Sequence, residues 1–397
     1  MSRIYLDNAA TTRLSGEVLK EMLPYYTEHF GNAESLHQFG REATEAIDRA
    51  RDIIAGTINA KASEIVFTSG GTEANNFALK GIALAHQHRG KHIIVSAIEH
   101  SSILETAKEL ETQGFEVSYI PVDEHGVVSI EELIHAIRRD TILVSVMAVN
   151  NEVGTVQFLK AIGSVVANYD NAYFHCDAVA AIATMTLDVK DLGIHLLSLS
   201  SHKIHGPKGV GCLYVRKGVT INKLFQGGEQ EFNRRGGTQN VPGIVGFGKA
   251  MELNNRDMVA TNKKLRELSN YFIKKLEFEI EGVKINGHPR QKAPGIVNVS
   301  FNYVDGESIM IRLDLENIAV STGSACTAGS VERSYVLRAM GLSEAQVASS
   351  VRFSFGVDNT KEEIDIVVRK LTNIVEALRK NSPIYNKSGK KVGAKNV

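Results

Sequence analysis

The chain has 397 residues, 43% of them hydrophobic, which is long enough for a large domain and at least one smaller one. Lysine plus arginine and aspartate plus glutamate both number 45, and this zero formal net charge excludes a global field for nucleic acid or an anionic membrane. The three cysteines, Cys176, Cys212 and Cys326, are too few and too scattered for a disulfide framework. We therefore expect a reducing, cytoplasmic location, with neither a signal peptide nor a membrane span.

Short apolar segments alternate with amphipathic ones from about residue 64. The predicted strands are residues 64–68, 92–96, 117–120, 141–149, 172–176, 196–200 and 211–216. The predicted helices between them cover residues 72–88 and begin near residues 101, 129 and 158. Strands separated by helices pair in parallel through right-handed crossovers. The alternation therefore predicts an α/β fold with a mostly parallel sheet that is covered by helices on both faces.

The pattern changes after about residue 243. A long charged helix to about residue 278, strands near 296–301 and 351–355 and a loop at 321–333 indicate a smaller α+β domain. Its last helix begins with Thr360 and Glu363 in capping-box spacing and ends near residue 380. We assign residues 1–15 and 250–380 to this domain and residues 16–249 to the large one, with a flexible, lysine-rich tail over 381–397. The first 40 residues look rich in loops.

Glycines and polar residues follow the predicted strands at their carboxyl ends, where open parallel sheets bind ligands. They are Gly70, Gly71 and Thr72, then His100, Asn150 and Asn151, Asp177, and Ser200 to Lys203.

Three of these features have a structural and a functional interpretation. Gly71 and Thr72 at a helix start suit a single phosphate, or form only a tight connection. Asp177 pairs with a protonated ring nitrogen, or makes a structural salt bridge. Lys203 forms a Schiff base, or is solvated at the sheet rim. Together they are the parts that a pyridoxal phosphate enzyme requires.

The cysteines differ in their surroundings. Cys326 lies in a loop of small and polar residues between Gly323 and Gly329, whereas Cys176 and Cys212 lie in apolar strands and are expected to be core thiols. No metal site is expected, because the closely spaced histidines near residue 90 have no thiolate partner.

The chain resembles the NifS/IscS-type cysteine desulfurases of pyridoxal phosphate fold type I. The shared motifs run from about Ile4 to Tyr385 and include YLDNAATT, FTSGGTEANN, EHSSIL, VNNEVG, HCDA, SHKIHGPKG, GGTQNVP, STGSACTAGS and SVRFSFG. The resemblance implies a seven-stranded, mostly parallel sheet and a homodimer. It also implies that pyridoxal 5'-phosphate assists conversion of L-cysteine to L-alanine, and that an enzyme persulfide passes to an iron–sulfur scaffold or another acceptor protein.

The resemblance also implies roles for individual residues. Lys203 holds the cofactor and moves protons, His100 stacks on the ring, and Cys326 attacks the substrate sulfur. The cofactor-binding residues are Lys203, Gly71, Thr72, His100, Asn151, Asp177, Ser200, His202 and, across the dimer interface, Thr238. Arg352 and Asn151 hold the substrate carboxylate, since a guanidinium can form a bidentate pair with it.

One position departs from the family pattern. Ala180 stands where glutamine is usual, so the amide that binds the cofactor's phenolic oxygen is missing. Such a bond is worth roughly 1.5–3 kcal/mol. A low-activity or specialised paralogue, a selenocysteine lyase and a non-catalytic binding platform are therefore the alternatives to a cysteine desulfurase.

Overall fold

The computed structural model describes residues 3–322, 333–382 and 385. Cys326 and its flanking Gly323 and Gly329 lie outside the described residues, as does most of the lysine-rich tail.

The strands in the described ranges form three sheets. They are β1 (Ile4–Tyr5), β2 (Ile65–Thr68), β3 (His92–Ser96), β4 (Glu116–Ile120), β5 (Thr141–Ser145), β6 (Tyr173–Asp177), β7 (Leu196–Ser200), β8 (Gly211–Val215), β9 (Val283–Asn286), β10 (Ile296–Phe301), β11 (Ile318–Ala319) and β12 (Ser350–Ser354).

The α-helices are numbered in the same way, and short 3-10 turns cover Ala62–Glu64 and Ser201–Lys203. They are α1 (Gly16–Met22), α2 (Pro24–Thr27), α3 (Gln38–Thr57), α4 (Gly71–His86), α5 (Ser101–Thr112), α6 (Ile130–Ala136), α7 (Leu159–Val166), α8 (Gln230–Asn233), α9 (Val241–Glu279), α10 (Gly306–Leu315), α11 (Tyr335–Ala339), α12 (Glu344–Ala348) and α13 (Lys361–Lys380). None of the helices in the described part of the chain is long and apolar enough to cross a membrane.

The central sheet has seven strands in the order β2-β8-β7-β6-β5-β3-β4. Strand β8 runs antiparallel to both of its neighbours, and the other pairs are parallel. Residues of β2, β3, β5, β7 and β8 are buried throughout, because helices cover both faces of the sheet. The predicted α/β fold is confirmed.

Two sequence-based predictions of local structure are wrong. The strand predicted for residues 141–149 ends at Ser145, although Val146 and Val149 are fully buried. Residues 146–149 are hydrophobic because they are buried in the core, although they do not continue the strand. The first 40 residues are also less irregular than predicted, because they contain β1, α1 and α2.

A smaller antiparallel sheet has the order β12-β10-β9. Its core also contains Ile4 and Leu6, so the N-terminal strand packs with the C-terminal part of the chain. The long helix α9 contributes Phe247 to the core of the central sheet and Phe272 to the second core. These two cores support the division at residues 15 and 250, which stays a prediction.

Candidate active site

A chain of buried side chains links Asp177 to His100. The Asp177 carboxylate is 4% exposed at the end of β6. Its Oδ2 accepts a hydrogen bond from Asn75 Nδ2 over 2.7 Å, and its Oδ1 accepts one from the Val179 N–H over 2.9 Å. Asn75 also donates to Ser102 Oγ over 2.9 Å, and that hydroxyl lies 2.8 Å from His100 Nδ1. The four side chains therefore orient one another from three different elements.

The turn before α4 packs closely against neighbouring side chains. Gly70 has φ of +149°, a conformation that favours glycine. A Cβ on Gly71 would lie 2.7 Å from Val179 Cγ2 and 3.7 Å from Ser200 Cβ, so a larger residue there requires the Val179 side chain to shift. Thr72 follows in the first turn of α4 and is exposed. The N–H groups of this helix start and the Ser200 side chain thus lie together, as an anion site requires.

The N-terminal segment runs past Lys203. Lys203 Nζ donates to the carbonyl oxygens of Ala9 and Ala10 over 2.5 and 2.9 Å. His202 Nδ1 lies 3.1 Å from Thr11 Oγ1. Burial, with help from the neighbouring lysine, lowers the pKa of His202 to about 4, so its imidazole is neutral at pH 7.

The same segment contacts Arg352 on β12. One terminal nitrogen of Arg352 donates to the Asn151 carbonyl oxygen over 3.0 Å, and the other donates to Asp7 Oδ1 over 2.8 Å. Its Nε is buried and has no hydrogen-bond partner among the described residues. Ser354 Oγ accepts from the Ala9 N–H over 2.9 Å. Residues 7–11 therefore connect the guanidinium of Arg352 to the amine of Lys203.

Glu99 is a fully buried acid next to this network. Its Oε1 accepts a hydrogen bond from the Met147 N–H over 2.7 Å, while Oε2 has no partner within the described residues. Burial raises the pKa of Glu99 well above its usual value, and the nearby Asp177 carboxylate raises it further. The folded chain therefore favours the neutral form of Glu99.

Thr238 is exposed and belongs to neither the Asp177 network nor the Arg352 contacts. It lines a cavity of about 140 Å³ with Ser69 and Arg235. Arg235 Nε donates to Glu73 Oε1 over 3.0 Å, and Glu73 Oε2 accepts from the Ser69 N–H over 2.7 Å. The segment with Thr238 is thereby attached to the turn before α4.

A second ion pair attaches this segment more deeply. Arg51 donates to both carboxylate oxygens of Glu231 over 2.7 and 3.0 Å, and both side chains are at most 5% exposed. The guanidinium lies 4.7 and 4.9 Å from the rings of Phe67 and Phe232. Glu231, Phe232 and Asn233 all have left-handed φ values, of 50°, 57° and 62°. The ion pair thus holds a backbone conformation that costs free energy.

Ala180 lines a cavity of about 500 Å³ together with Lys203 and Ala183. There is thus room beside Lys203 at the position where the resemblance expects glutamine.

The two remaining cysteines lie as predicted, buried in β6 and β8. Burial raises the pKa of the Cys176 and Cys212 thiols, so both are protonated at pH 7. Within residues 3–322 and 333–382, no group of three or more His, Cys, Asp or Glu side chains could hold a metal ion.

Comparison with known proteins places the chain in a family. Residues 4–367 match the aminotransferase class-V family. The cysteine desulfurase IscS of Dictyoglomus turgidum is 48% identical over 380 residues, which cover 96% of each chain. A solved NifS-like protein has a TM-score of 0.90 at 39% identity and covers 95% of this chain and 100% of its own. SspA, solved in complex with cysteine, has a TM-score of 0.80 at 37% identity over 89% of this chain and 99% of its own.

These similarities define a pyridoxal phosphate-dependent enzyme of fold type I. The chain belongs to the aminotransferase class-V family, and its resemblance to the NifS/IscS-type cysteine desulfurases is confirmed over nearly its whole length.

The described residues fit that cofactor. A buried carboxylate at Asp177 suits a protonated ring nitrogen, and the turn at Gly71 packs tightly against the Val179 side chain. Asn75 Oδ1 is buried without a hydrogen-bond partner in the described part of the chain, as expected beside a site made for a polar ligand.

Sequence reasoning missed several polar residues around the site. Asn75, Ser102, Asp7 and Glu99 all lie in motifs that carry the resemblance, but none of them was a predicted site residue. Asn75 could have been found from its spacing, because it lies one helical turn after Gly71.

Proposed function

We propose that this cysteine desulfurase carries the sulfur of L-cysteine as a persulfide on Cys326 and releases L-alanine. The observation that carries the proposal is the buried Asp177 carboxylate in the Asn75 network, at the sheet edge where Lys203 also lies. The similarity to cysteine desulfurases over 96% of the chain supports the choice of substrate. No observation favours a selenocysteine lyase.

We propose that the cofactor is held by the residues found at the carboxyl edge of the central sheet. Its phosphate would meet Gly71, Thr72, Ser200 and His202. Asp177 would face its ring nitrogen, His100 its ring face and Lys203 its aldehyde carbon, and Asn151 would also contact the cofactor. When bound, pyridoxal phosphate supplies an electron sink next to the substrate Cα.

Asp177 and Lys203 are the side chains proposed to act on the cofactor ring and on the substrate Cα. The Asp177 carboxylate would face the ring nitrogen, and the hydrogen bonds that it accepts from Asn75 and Val179 fix its orientation. Lys203 removes and returns the proton at the substrate Cα with Nζ, which the carbonyl oxygens of the N-terminal segment orient.

Arg352 is the proposed anchor for the substrate carboxylate. Its position is set by Asn151 and Asp7, and its buried Nε is left to donate. A buried guanidinium with a free N–H fixes a carboxylate in both position and orientation.

Cys326 would perform the sulfur transfer. Its thiolate attacks Sγ of the substrate, the new S–S bond forms, and the Cβ–Sγ bond breaks with its electron pair left on the three-carbon fragment, which becomes L-alanine after protonation. The balance is one enzyme thiol and one L-cysteine to one enzyme persulfide and one L-alanine. Because Cys326 must stay reduced, the cytoplasm is the proposed compartment.

We propose a homodimer as the working form. Large apolar side chains are exposed between α1 and α2, on α2, in the loop before α3 and at the start of α3, namely Leu23, Tyr26, Phe30, Leu36 and Phe39. Leu36 is 92% exposed and Phe30 67%, which is unusual for a folded monomer. Gln239 donates to Glu34 over 3.3 Å, so this surface is continuous with the segment of Thr238. A second copy on this surface could receive Thr238 at its phosphate site.

The sulfur acceptor is proposed to be an iron–sulfur cluster scaffold protein. The similarity to enzymes named IscS supports this choice.

Borohydride reduction followed by peptide mapping tests the cofactor site. We expect the reduced cofactor on the peptide that contains Lys203, and loss of the label in Lys203→Ala but not in the matched Lys208→Ala. Label on another lysine would overturn the assignment.

A further inference from the structure

Glu152 is a buried carboxyl group with no part in the proposed chemistry. It is 3% exposed and lies in the turn after β5, directly after Asn151. Its Oε2 accepts a hydrogen bond from Ser334 Oγ over 2.6 Å. Ser334 is itself 4% exposed and caps α11, because its Oγ also accepts from the Leu337 N–H over 3.1 Å. One carboxylate–hydroxyl contact thus joins the turn after β5 to the start of α11.

Two basic groups from other elements act on this carboxyl group. Arg352 lies on β12 and donates to the carbonyl oxygen of Asn151, and His100 caps the N-terminus of α5. Both act on Glu152 through their electrostatic field. Burial raises the pKa of Glu152 to about 7, while the Ser334 hydrogen bond, Arg352 and His100 each lower it. The ionised form of Glu152 therefore depends in part on the positive charge of Arg352, whose ion-pair partner is Asp7.

We propose that Glu152 takes up a proton when a carboxylate ligand binds to Arg352, and that it acts as a positioning residue that links this binding to the Ser334 contact. The inference rests on the proposed role of Arg352. A bound anion offsets the field of the guanidinium, and loss of that field shifts the buried carboxyl group toward its neutral form. Protonated Glu152 can donate a hydrogen bond as well as accept one, so the donor and acceptor roles available to Glu152 and Ser334 change when the carboxylate ligand binds.

Linkage sets the sign of the effect. Because the complex holds more protons than the free enzyme, a carboxylate binds more tightly as the pH falls through the range around pH 7. The affinity changes by at most about tenfold per pH unit for one proton.

Titration calorimetry of the pyridoxal phosphate-loaded enzyme with propionate tests the inference. Propionate has the carboxylate of the substrate but neither its amine nor its thiol, so it probes the Arg352 site alone. Binding heats measured near pH 7 in two buffers of different ionisation enthalpy give the number of protons taken up. We expect a net uptake of less than one proton per propionate, since a Glu152 pKa of about 7 leaves only part of the groups ionised before binding.

Four variants separate the possible results. Glu152→Gln should bind propionate without proton uptake, and Ser334→Ala should move the pH of maximal uptake upward, because the hydroxyl that favours the carboxylate is gone. Ser334→Thr should restore the wild-type profile. Unchanged uptake in Glu152→Gln, or none in the wild type, overturns the inference. No propionate binding, or binding that Arg352→Gln does not weaken, overturns the proposed role of Arg352 and this inference with it.

Discussion

Asn75 Nδ2 lies 2.7 Å from Oδ2 of Asp177, and this hydrogen bond joins the first turns of α4 to the end of β6. Both side chains are buried, with Asn75 at 1% exposure, so water cannot replace the bond without a rearrangement. The acid proposed to face the cofactor is therefore held by the same helix whose start forms the proposed phosphate site.

Removal of the Asn75 amide should weaken cofactor retention. A hydrogen bond to a charged partner contributes about 1.5–3 kcal/mol, so Asn75→Ala should lower the affinity for pyridoxal phosphate by about tenfold to a hundredfold. Absorbance titration of the cofactor-free enzyme measures it. The matched control is Asn76→Ala, whose amide donates to the backbone carbonyl oxygens of Thr72 and Ser102. Equal affinities for the two variants would contradict the role given to Asn75.

Ala180→Gln should tighten cofactor binding. The cavity of about 500 Å³ beside Lys203 has room for the larger side chain, and one added charge-assisted hydrogen bond is worth about 1.5 kcal/mol or more. An increase in affinity of about tenfold is expected by the same titration. Ala183→Gln adds the same group to the wall of the same cavity and serves as the control. If both variants behave alike, the amide at position 180 has no specific partner.

Glu231→Gln should destabilise the fold strongly. The variant leaves the Arg51 guanidinium buried without its charged partner, which costs about 3–5 kcal/mol. Urea unfolding followed by circular dichroism measures the loss. Asp48→Asn removes the exposed partner of the same arginine, 3.8 Å from its Nε, and should change the free energy of unfolding by about 0.5 kcal/mol or less. A comparable loss in both variants would show that burial of the pair is unimportant.

Glu99 should make stability fall as the pH rises. Its folded pKa lies above the value of 4.5 expected for an exposed glutamate, so above about pH 4.5 the unfolded chain loses a proton that the folded chain keeps. Glu99→Gln mimics the neutral acid. As the pH rises, its free energy of unfolding should increase relative to that of the wild type by up to about 1.4 kcal/mol per pH unit.

Urea unfolding at about pH 5 and about pH 8 measures this difference. Glu105→Gln replaces an exposed carboxylate on α5 and should follow the wild type. Parallel curves for Glu99→Gln and the wild type would mean that Glu99 is ionised in the folded protein.

The sequence predicted the parts of the fold that depend on local pattern. The bounds of β3 and β7 agree with the prediction because buried parallel strands are continuous apolar runs between polar residues. The same signal failed at β5, where burial continues after the strand ends. Asp177, Ser200 and Lys203 were found because a parallel sheet collects its ligand-binding residues at one edge.

Contacts between distant parts of the chain were beyond sequence reasoning. Asp7 and Arg352 are 345 positions apart, and nothing in either local pattern indicates that they form an ion pair. Thr238 and Cys326 were proposed from the resemblance alone. Cys326 lies outside the described residues, and the role of Thr238 depends on a second copy of the chain.

Sulfur transfer to Cys326 is tested most directly by mass spectrometry of the enzyme after reaction with L-cysteine, together with the amount of L-alanine released. We predict one added sulfur atom on the peptide that contains Cys326, and loss of both this sulfur and alanine release in Cys326→Ala but not in Cys212→Ala. Release of alanine at the wild-type rate by Cys326→Ala would contradict the assignment.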